Sequence, residues 1–266
     1  MQALAGQVAV VTGAGRGFGA AIAARLAQEG AAVALLARSL PEIEDQAAQI
    51  RAGGASAAAI ACDVTDPLSI AAALQQVEHR FGPVDLLVNN AGIPGPFGPI
   101  WQVDADEWWW AQAIHIRAPM LFMHHLLPGM IARGRGRIIC VSAIASRMVA
   151  PHLSAYCTGK IAQNRLVAEA AAELADTPLA VFAIDPGFVF TRLARQTMED
   201  ADAQRYLAPM VERLRAKEHD PAAQGDLARC AQRCLDLASG RYDALSGGYF
   251  ELPDDLDALL AEKAST

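Results

Sequence analysis

The stretch Val8-Ala9-Val10-Val11-Thr12-Gly13-Ala14-Gly15-Arg16-Gly17-Phe18-Gly19 decides the fold. Its opening run up to Thr12 is apolar without alternation, the pattern of a parallel strand covered on both faces. The glycines that follow carry no Cβ, so the chain can turn tightly and a ligand can approach the backbone. An alanine-rich run from Gly17 to about Glu29 predicts a helix, and Ala31 to Ala37 a second strand. A glycine turn between strand and helix aims the first helical amides at an anion. In this strand–turn–helix–strand setting the stretch predicts a pyrophosphate site for a dinucleotide.

The end of the second strand bears on which dinucleotide. A fold of this kind that takes NAD usually places an acid there to hold the ribose hydroxyls. This chain has Ala37-Arg38-Ser39 instead. Arg38 and Ser39, with Arg16 reaching over from the turn, can meet a 2′-phosphate. NADP(H) is therefore favoured, with NAD(H) as the alternative.

Strands and helical stretches keep alternating from there. A helix from Pro41 to about Arg51 precedes a strand at Ala57 to Cys62. Asp66-Pro67 caps a helix running to about Arg80, and Val84 to Asn89 is the fourth strand. Asp104 with Glu107 opens a long helix to about Ala132, in which Pro119 is expected to introduce a kink. Trp108, Trp109 and Trp110 cannot share one face of that helix, so at least one is expected at a cleft or a partner subunit. A strand from Gly136 to Val141, a helix from Leu153 to about Ala175 and a strand from Leu179 to Ile184 follow. Residues 191–219 are helical in composition and are expected to cover the substrate. Asp226 to Ala238 is a further helix, Leu245 to Phe250 a short strand, and the acidic tail from Leu252 is expected to fray. The alternation predicts an α/β fold over residues 1–266: a single-domain, doubly wound parallel β-sheet of Rossmann type with helices on both faces.

Composition narrows the partners. The net charge is −7 and the arginines form no stripe, which argues against nucleic acid. No apolar run is long enough to span a membrane and the first residues do not read as a signal peptide, so a cytoplasmic protein is expected. The five cysteines include no close CxxC pair, no metal set is apparent, and Cys62 and Cys140 read as buried thiols.

Tyr156 and Lys160 lie one turn apart on the same helix face. An ammonium so placed can lower a phenol's pKa from about 10 towards neutrality. Such a tyrosine can exchange a proton with an alcohol oxygen while hydride moves to or from a nicotinamide. Phe97, Trp101, Met148, Phe188 and Phe190 would surround the cleft and suit a small to medium, rather apolar substrate.

Taken together, Thr12-Gly13-Ala-Gly-Arg-Gly17-Phe-Gly19, Asp63, Asn89-Asn-Ala-Gly92, Tyr156-Cys-Thr-Gly-Lys160 and Pro186-Gly187 with Thr191 resemble the short-chain dehydrogenase/reductase family up to about Leu237. The resemblance implies a hydride transfer between a nicotinamide cofactor and a ketone or secondary alcohol. It puts Gly13, Gly17 and Gly19 at the pyrophosphate, Asp63 at the adenine, and Asn89, Ala91 and Gly92 along the cofactor. Phe18, Val64, Pro186, Gly187 and Val189 fall in the same cofactor-lining motifs, with Thr191 at the carboxamide end. Tyr156 would be the acid/base and Lys160 would hold the ribose and tune it. Homodimers or homotetramers built through the two long helices are usual.

Two positions depart from the family. Its serine, thirteen residues before the tyrosine, is Ala143 here, and its asparagine on the helix after the fourth strand is His115. Ser142 could replace the serine only if the strand end bulges, because neighbouring strand side chains point oppositely. Ser146 or a water near His115 are the other substitutes. Ala143 and His115 keep open a second reading, a non-catalytic dinucleotide-binding member; the intact Tyr156–Lys160 pair opposes it.

Overall fold

The computed structural model describes residues 2–218, 220 and 222–265. Seven strands form one parallel sheet in the order β3-β2-β1-β4-β5-β6-β7. They are β1 (Val8–Thr12), β2 (Ala32–Ala37), β3 (Ala57–Ala61), β4 (Leu86–Asn89), β5 (Arg137–Val141), β6 (Ala180–Ile184) and β7 (Tyr249–Phe250). The order reverses between β1 and β4, and a doubly wound sheet opens its ligand crevice at that switch.

Period-2 geometry divides each strand between two cores. On β1, Ala9 and Val11 face one layer with helices α1 (Gly17–Gln28), α2 (Leu40–Ala52) and α10 (Ala222–Ala238). Val8 and Val10 face the other, with α3 (Pro67–Phe81), α5 (Ala118–Arg133) and α6 (Ser154–Glu173). Phe122 and Phe182 are fully buried, one in each layer. Truncating either to alanine would cost about 3–5 kcal/mol.

The long helix expected over 104–132 is three pieces. α4 (Ala105–Gln112) passes into a wider π-helical turn, Ala113–Arg117, and then α5. The amide of Ala118 bonds the carbonyl of Ala113, five residues back. Pro119 has no N–H to offer the carbonyl of His115, four residues back, so the widening sits where the ordinary ladder is already broken.

The tail expected to fray is ordered instead. Asp255 caps a last helix, α11 (Leu256–Ala264), by accepting from the amides of Asp257 and Ala258. Leu256 is buried, Leu259 and Leu260 pack on the core, and the Tyr242 hydroxyl donates to Asp257. A cap and an apolar i, i+3, i+4 stripe outweigh the acidic composition. Among the described residues no helix is long and apolar enough to cross a membrane.

Candidate active site

The groove expected to take the cofactor begins at the turn after β1. Gly13 and Gly17 have positive φ, +64° and +54°. A Cβ on Gly19 would collide with the Gly13 carbonyl and lie 2.5 Å from the Asn90 amide nitrogen. Thr12 and Asn90 lock this turn to β4. Thr12 Oγ1 accepts from the amides of Asn90 and Ala91, and Asn90 Nδ2 donates to the carbonyls of Thr12 and Gly13. Sequence reasoning gave neither residue a role, although both stand inside the motifs that carried the resemblance. Asn89 is buried behind them, with Nδ2 3.7 Å from Cys140 Sγ.

The first turn of α1 fits an anionic ligand. Its N-cap, Arg16, makes no side-chain cap and the turn holds no acid. By contrast, α3, α4 and α11 are capped by Asp66, Asp104 and Asp255. The amides at Gly17–Gly19 thus keep their positive end for something outside the helix.

The two arginines expected to choose the cofactor are both engaged. Arg16 Nη1 lies 3.0 Å from Glu42 Oε1 on α2, and Arg192 Nη1 lies 3.4 Å from the same oxygen. Arg38 has no acidic partner among the described residues. Its guanidinium lies over the indole of Trp110, 6.0 Å from the ring centre. The tryptophan run therefore divides three ways. Trp108 donates to Ser154 on α6 at 3.1 Å, Trp110 backs Arg38, and Trp109 faces outward. Asp63 accepts from the backbone and hydroxyl of Thr65 and so shapes the turn after β3, while Val64 is in the core.

Below the groove, α6 presents Tyr156 and Lys160 towards β5 and the π turn. His115 is fully buried and its ring stands edge-on to Tyr156, 5.5 Å between centres. Its Nε2 meets the Ile93 carbonyl at 2.9 Å and its Nδ1 has no partner. Burial, with Lys160 nearby, pulls the imidazole down to about 3, so it is neutral at ordinary pH. The helices approach this closely because residue 159 is glycine. A Cβ there would lie 2.7 Å from His115 Cβ.

Lys160 Nζ donates to the Val141 carbonyl at 2.8 Å and to Gln163 Oε1 at 3.1 Å, and lies 5.7 Å from the centre of the Tyr156 ring. Burial pulls its ammonium down to about 8. The lowering expected for Tyr156 is absent in this state. Burial pushes the phenol up and the Asp185 carboxylate adds to the effect, while the ammonium is turned to Val141 and Gln163. Tyr156 is thereby a neutral phenol, a proton donor.

Of the stand-ins for the missing serine, the two hydroxyls are bonded elsewhere, and His115 lies against the Tyr156 ring without bonding it. β5 pairs with β6 in unbroken register and the Ser142 amide continues that ladder to Ile184, so there is no bulge. Ser142 is buried and donates to the Lys160 carbonyl. Ser146 Oγ accepts from Asn164 at 2.8 Å. His115 is closed in by Ile93 and Gly159, as described.

The segment expected as a cover forms α7 (Arg192–Glu199), α8 (Ala201–Tyr206) and α9 (Ala208–Glu218); His219 lies outside the described residues. Ala203, Val211 and Met210 pack with Phe97, Leu153 and Tyr156. Thr191 caps α7 and its Cγ2 would sit 3.4 Å from a Cβ on Gly17, so the cover starts directly above the glycine turn. Gly187 turns at φ +84° after Pro186, with Val189 buried beyond it. Trp101 and Met148 line an apolar groove with Val149 and Ile161, and Ser146 and Cys157 belong to the same lining.

The family model "short chain dehydrogenase" matches residues 7–202. A short chain dehydrogenase of Pseudocercospora fijiensis is 34% identical over 262 residues, 97% of this chain and 84% of that protein. A metagenomic short-chain oxidoreductase solved in complex with NADP is 36% identical, covering 79% of this chain and 92% of its own, with a TM-score of 0.67. An NAD+-bound xylitol dehydrogenase is 27% identical, covering 93% and 98%, with a TM-score of 0.81.

Proposed function

Because the chain belongs to the short chain dehydrogenase family, whose members are NAD(P)-dependent oxidoreductases, we propose that it interconverts a ketone and a secondary alcohol with Tyr156 as acid/base. The observation that carries this reading is the pairing of Tyr156 with a buried Lys160 on one face of α6, in a chain whose α1 starts without a side-chain cap. A bound nicotinamide supplies or accepts the hydride.

The residues divide the remaining work. The amides of α1 and the bare glycines hold the pyrophosphate. Lys160 holds the ribose. Asp63, Asn89, Ala91, Gly92, Pro186, Gly187, Val189 and Thr191 line the cofactor. Tyr156, kept neutral by burial, donates its proton to the carbonyl oxygen as the carbon gains hydride, and takes one back in the oxidation. The cover and Phe97 exclude water and favour a rather apolar substrate. NADP(H) is the preferred cofactor, because Arg38 stands over Trp110 without an acidic partner at the end of β2. NADP and NAD complexes both occur among the similar structures. Exposed Trp109, Met120 and Ile161 on α4, α5 and α6 support a homodimer or homotetramer built through those helices. The unpaired cysteines fit a reducing cytoplasm.

Tyr156→Phe tests the reading. It is expected to lower kcat/KM by about a hundredfold to ten-thousandfold on a ketone panel while the NADPH dissociation constant stays within twofold. A mutant that keeps the parent rate with chemistry limiting removes Tyr156 from the role. Ala143 favours one rival, a dinucleotide-binding protein without turnover. A parent that binds NADPH tightly yet converts no carbonyl or alcohol on the panel would install it.

A further inference from the structure

The interior beneath Tyr156 contains an amide that the chemistry above does not use. Gln163 is fully buried on α6, three residues past Lys160 and on the same helix face. Its Oε1 is 3.1 Å from Lys160 Nζ, while its Nε2 has no partner. We infer that Gln163 is a positioning residue, whose amide oxygen holds the Lys160 ammonium under the phenol in place of a counter-ion. The inference rests on the role proposed above for Lys160.

An ammonium only donates, so a buried one needs acceptors. The groups around Nζ supply few. From β5 come the Val141 carbonyl, which accepts at 2.8 Å, and the Cys140 thiol, pushed up to about 11 by burial and so uncharged. From the π turn comes His115, a neutral ring with Nε2 already on Ile93. From the loop after β4 comes Gly92, which has no side chain. On α6 itself, Tyr156 is a neutral phenol. Among the described residues no carboxylate is paired with Lys160. Among the described residues Gln163 is thus the one side-chain acceptor bonded to Nζ.

Gln163 fills its place poorly in every other respect. A buried donor without an acceptor is destabilising, and leucine or methionine would occupy the same volume without it. The part of the amide that is satisfied is the part that faces Lys160. Burial already draws the ammonium down to about 8, so an acceptor that favours the charged form keeps Lys160 charged over more of the working pH range.

The test is the pH profile of kcat/KM for parent, Gln163→Met and Gln163→Glu, with NADPH affinity and thermal midpoint measured alongside. Gln163→Met keeps the volume and loses the acceptor. It is expected to melt at or above the parent temperature, to move the alkaline limb down by about one pH unit, and to weaken NADPH binding about threefold to tenfold above neutral pH. Gln163→Glu places a charge at the same atom and is expected to move the limb up. Limbs that coincide for all three proteins overturn the inference. If Gln163→Met does not fold, the direction of the Gln163→Glu limb decides alone: upward supports it, unmoved overturns it. A Lys160→Met control separates the two levels. If that control keeps parent activity, the reading of Lys160 falls. If the control is inactive while Gln163→Met matches the parent at every pH, only the inference about Gln163 falls.

Discussion

At the glycine turn, the atoms offered to a ligand belong to the main chain; beneath Tyr156 the polar atoms belong largely to side chains. The turn keeps its shape because Gly13, Gly17 and Gly19 lack a Cβ and because Thr12 at the end of β1 is bonded to Asn90 just after β4. Many sequences would keep that geometry so long as the glycines remain. The region around Tyr156 depends on which way individual side chains are turned. Ser142 is turned into α6 and Ser146 towards Asn164, so both hydroxyls are already bonded, while His115 packs between Gly159 and the Tyr156 ring. A site half made of backbone tolerates change poorly at a few positions, while a site half made of side chains can be re-tuned at many.

The largest effect that would sharpen this contrast lies on the backbone side. Gly19→Ala is expected to weaken NADPH binding by roughly tenfold to a hundredfold and to lower stability by about 1–3 kcal/mol, because the new methyl meets the Gly13 carbonyl and the Asn90 amide. Titration and denaturant melts read both. Binding within twofold of the parent would break the claim that the turn is sterically defined.

On the side-chain side the change is a gain. Ala143→Ser is expected to raise kcat/KM by about tenfold, part of the 2.7–4 kcal/mol that one well-placed oxyanion donor supplies. Ser142→Ala should leave turnover within twofold, since that hydroxyl is committed to the Lys160 carbonyl. The reverse pattern, with Ser142→Ala severe and Ala143→Ser silent, would mean the strand end rearranges when substrate binds.

His115 gives a stability test of similar size. Its pKa, about 3 in the fold, is below the ordinary 6.5, so the unfolded chain binds the extra proton and the fold does not. Stability should therefore fall as pH drops below about 6.5, by up to about 1.4 kcal/mol per pH unit from this group. His115→Asn should flatten that slope in urea melts at pH 6.5 and 5. Equal slopes would show the ring to be protonated in the native protein.

The smallest effect concerns Glu42. Neutralising it by Glu42→Gln releases Arg16 and Arg192 from an exposed ion pair worth about 0.2–1 kcal/mol. NADPH affinity is expected to rise by no more than about fivefold, with NADH affinity unmoved. An equal rise for both would place Glu42 at the pyrophosphate rather than at the 2′-phosphate.

What could be read without coordinates follows the same division. The succession of strands and helices and the glycine turn are local, so spacing along Val8–Gly19 and the later alternation are enough to read them. Tyr156 and Lys160 were visible because helical geometry alone sets i, i+4 neighbours together. Arg16 and Glu42 are twenty-six residues apart and meet only through the α1–α2 packing, so the arginine read as available when it is paired. The orientation of Ser142 depends on where α6 crosses β5, which no local pattern contains. The tail reads as frayed because its four acidic residues match its four leucines in number, and the weight of one cap at Asp255 is not visible in composition.

The thiols have a practical consequence. Cys62, Cys140, Cys230 and Cys234 are buried, and Cys157 is half-buried beside Tyr156 with burial pushing its thiol up. Oxidants and alkylating reagents attack the thiolate, and reactive cysteines sit in electropositive, accessible surroundings. None of these five is so placed, even though one adjoins the Tyr156 phenol. The protein is therefore expected to hold its activity through storage in air without added reductant, and a maleimide should label it slowly, at Cys157 first.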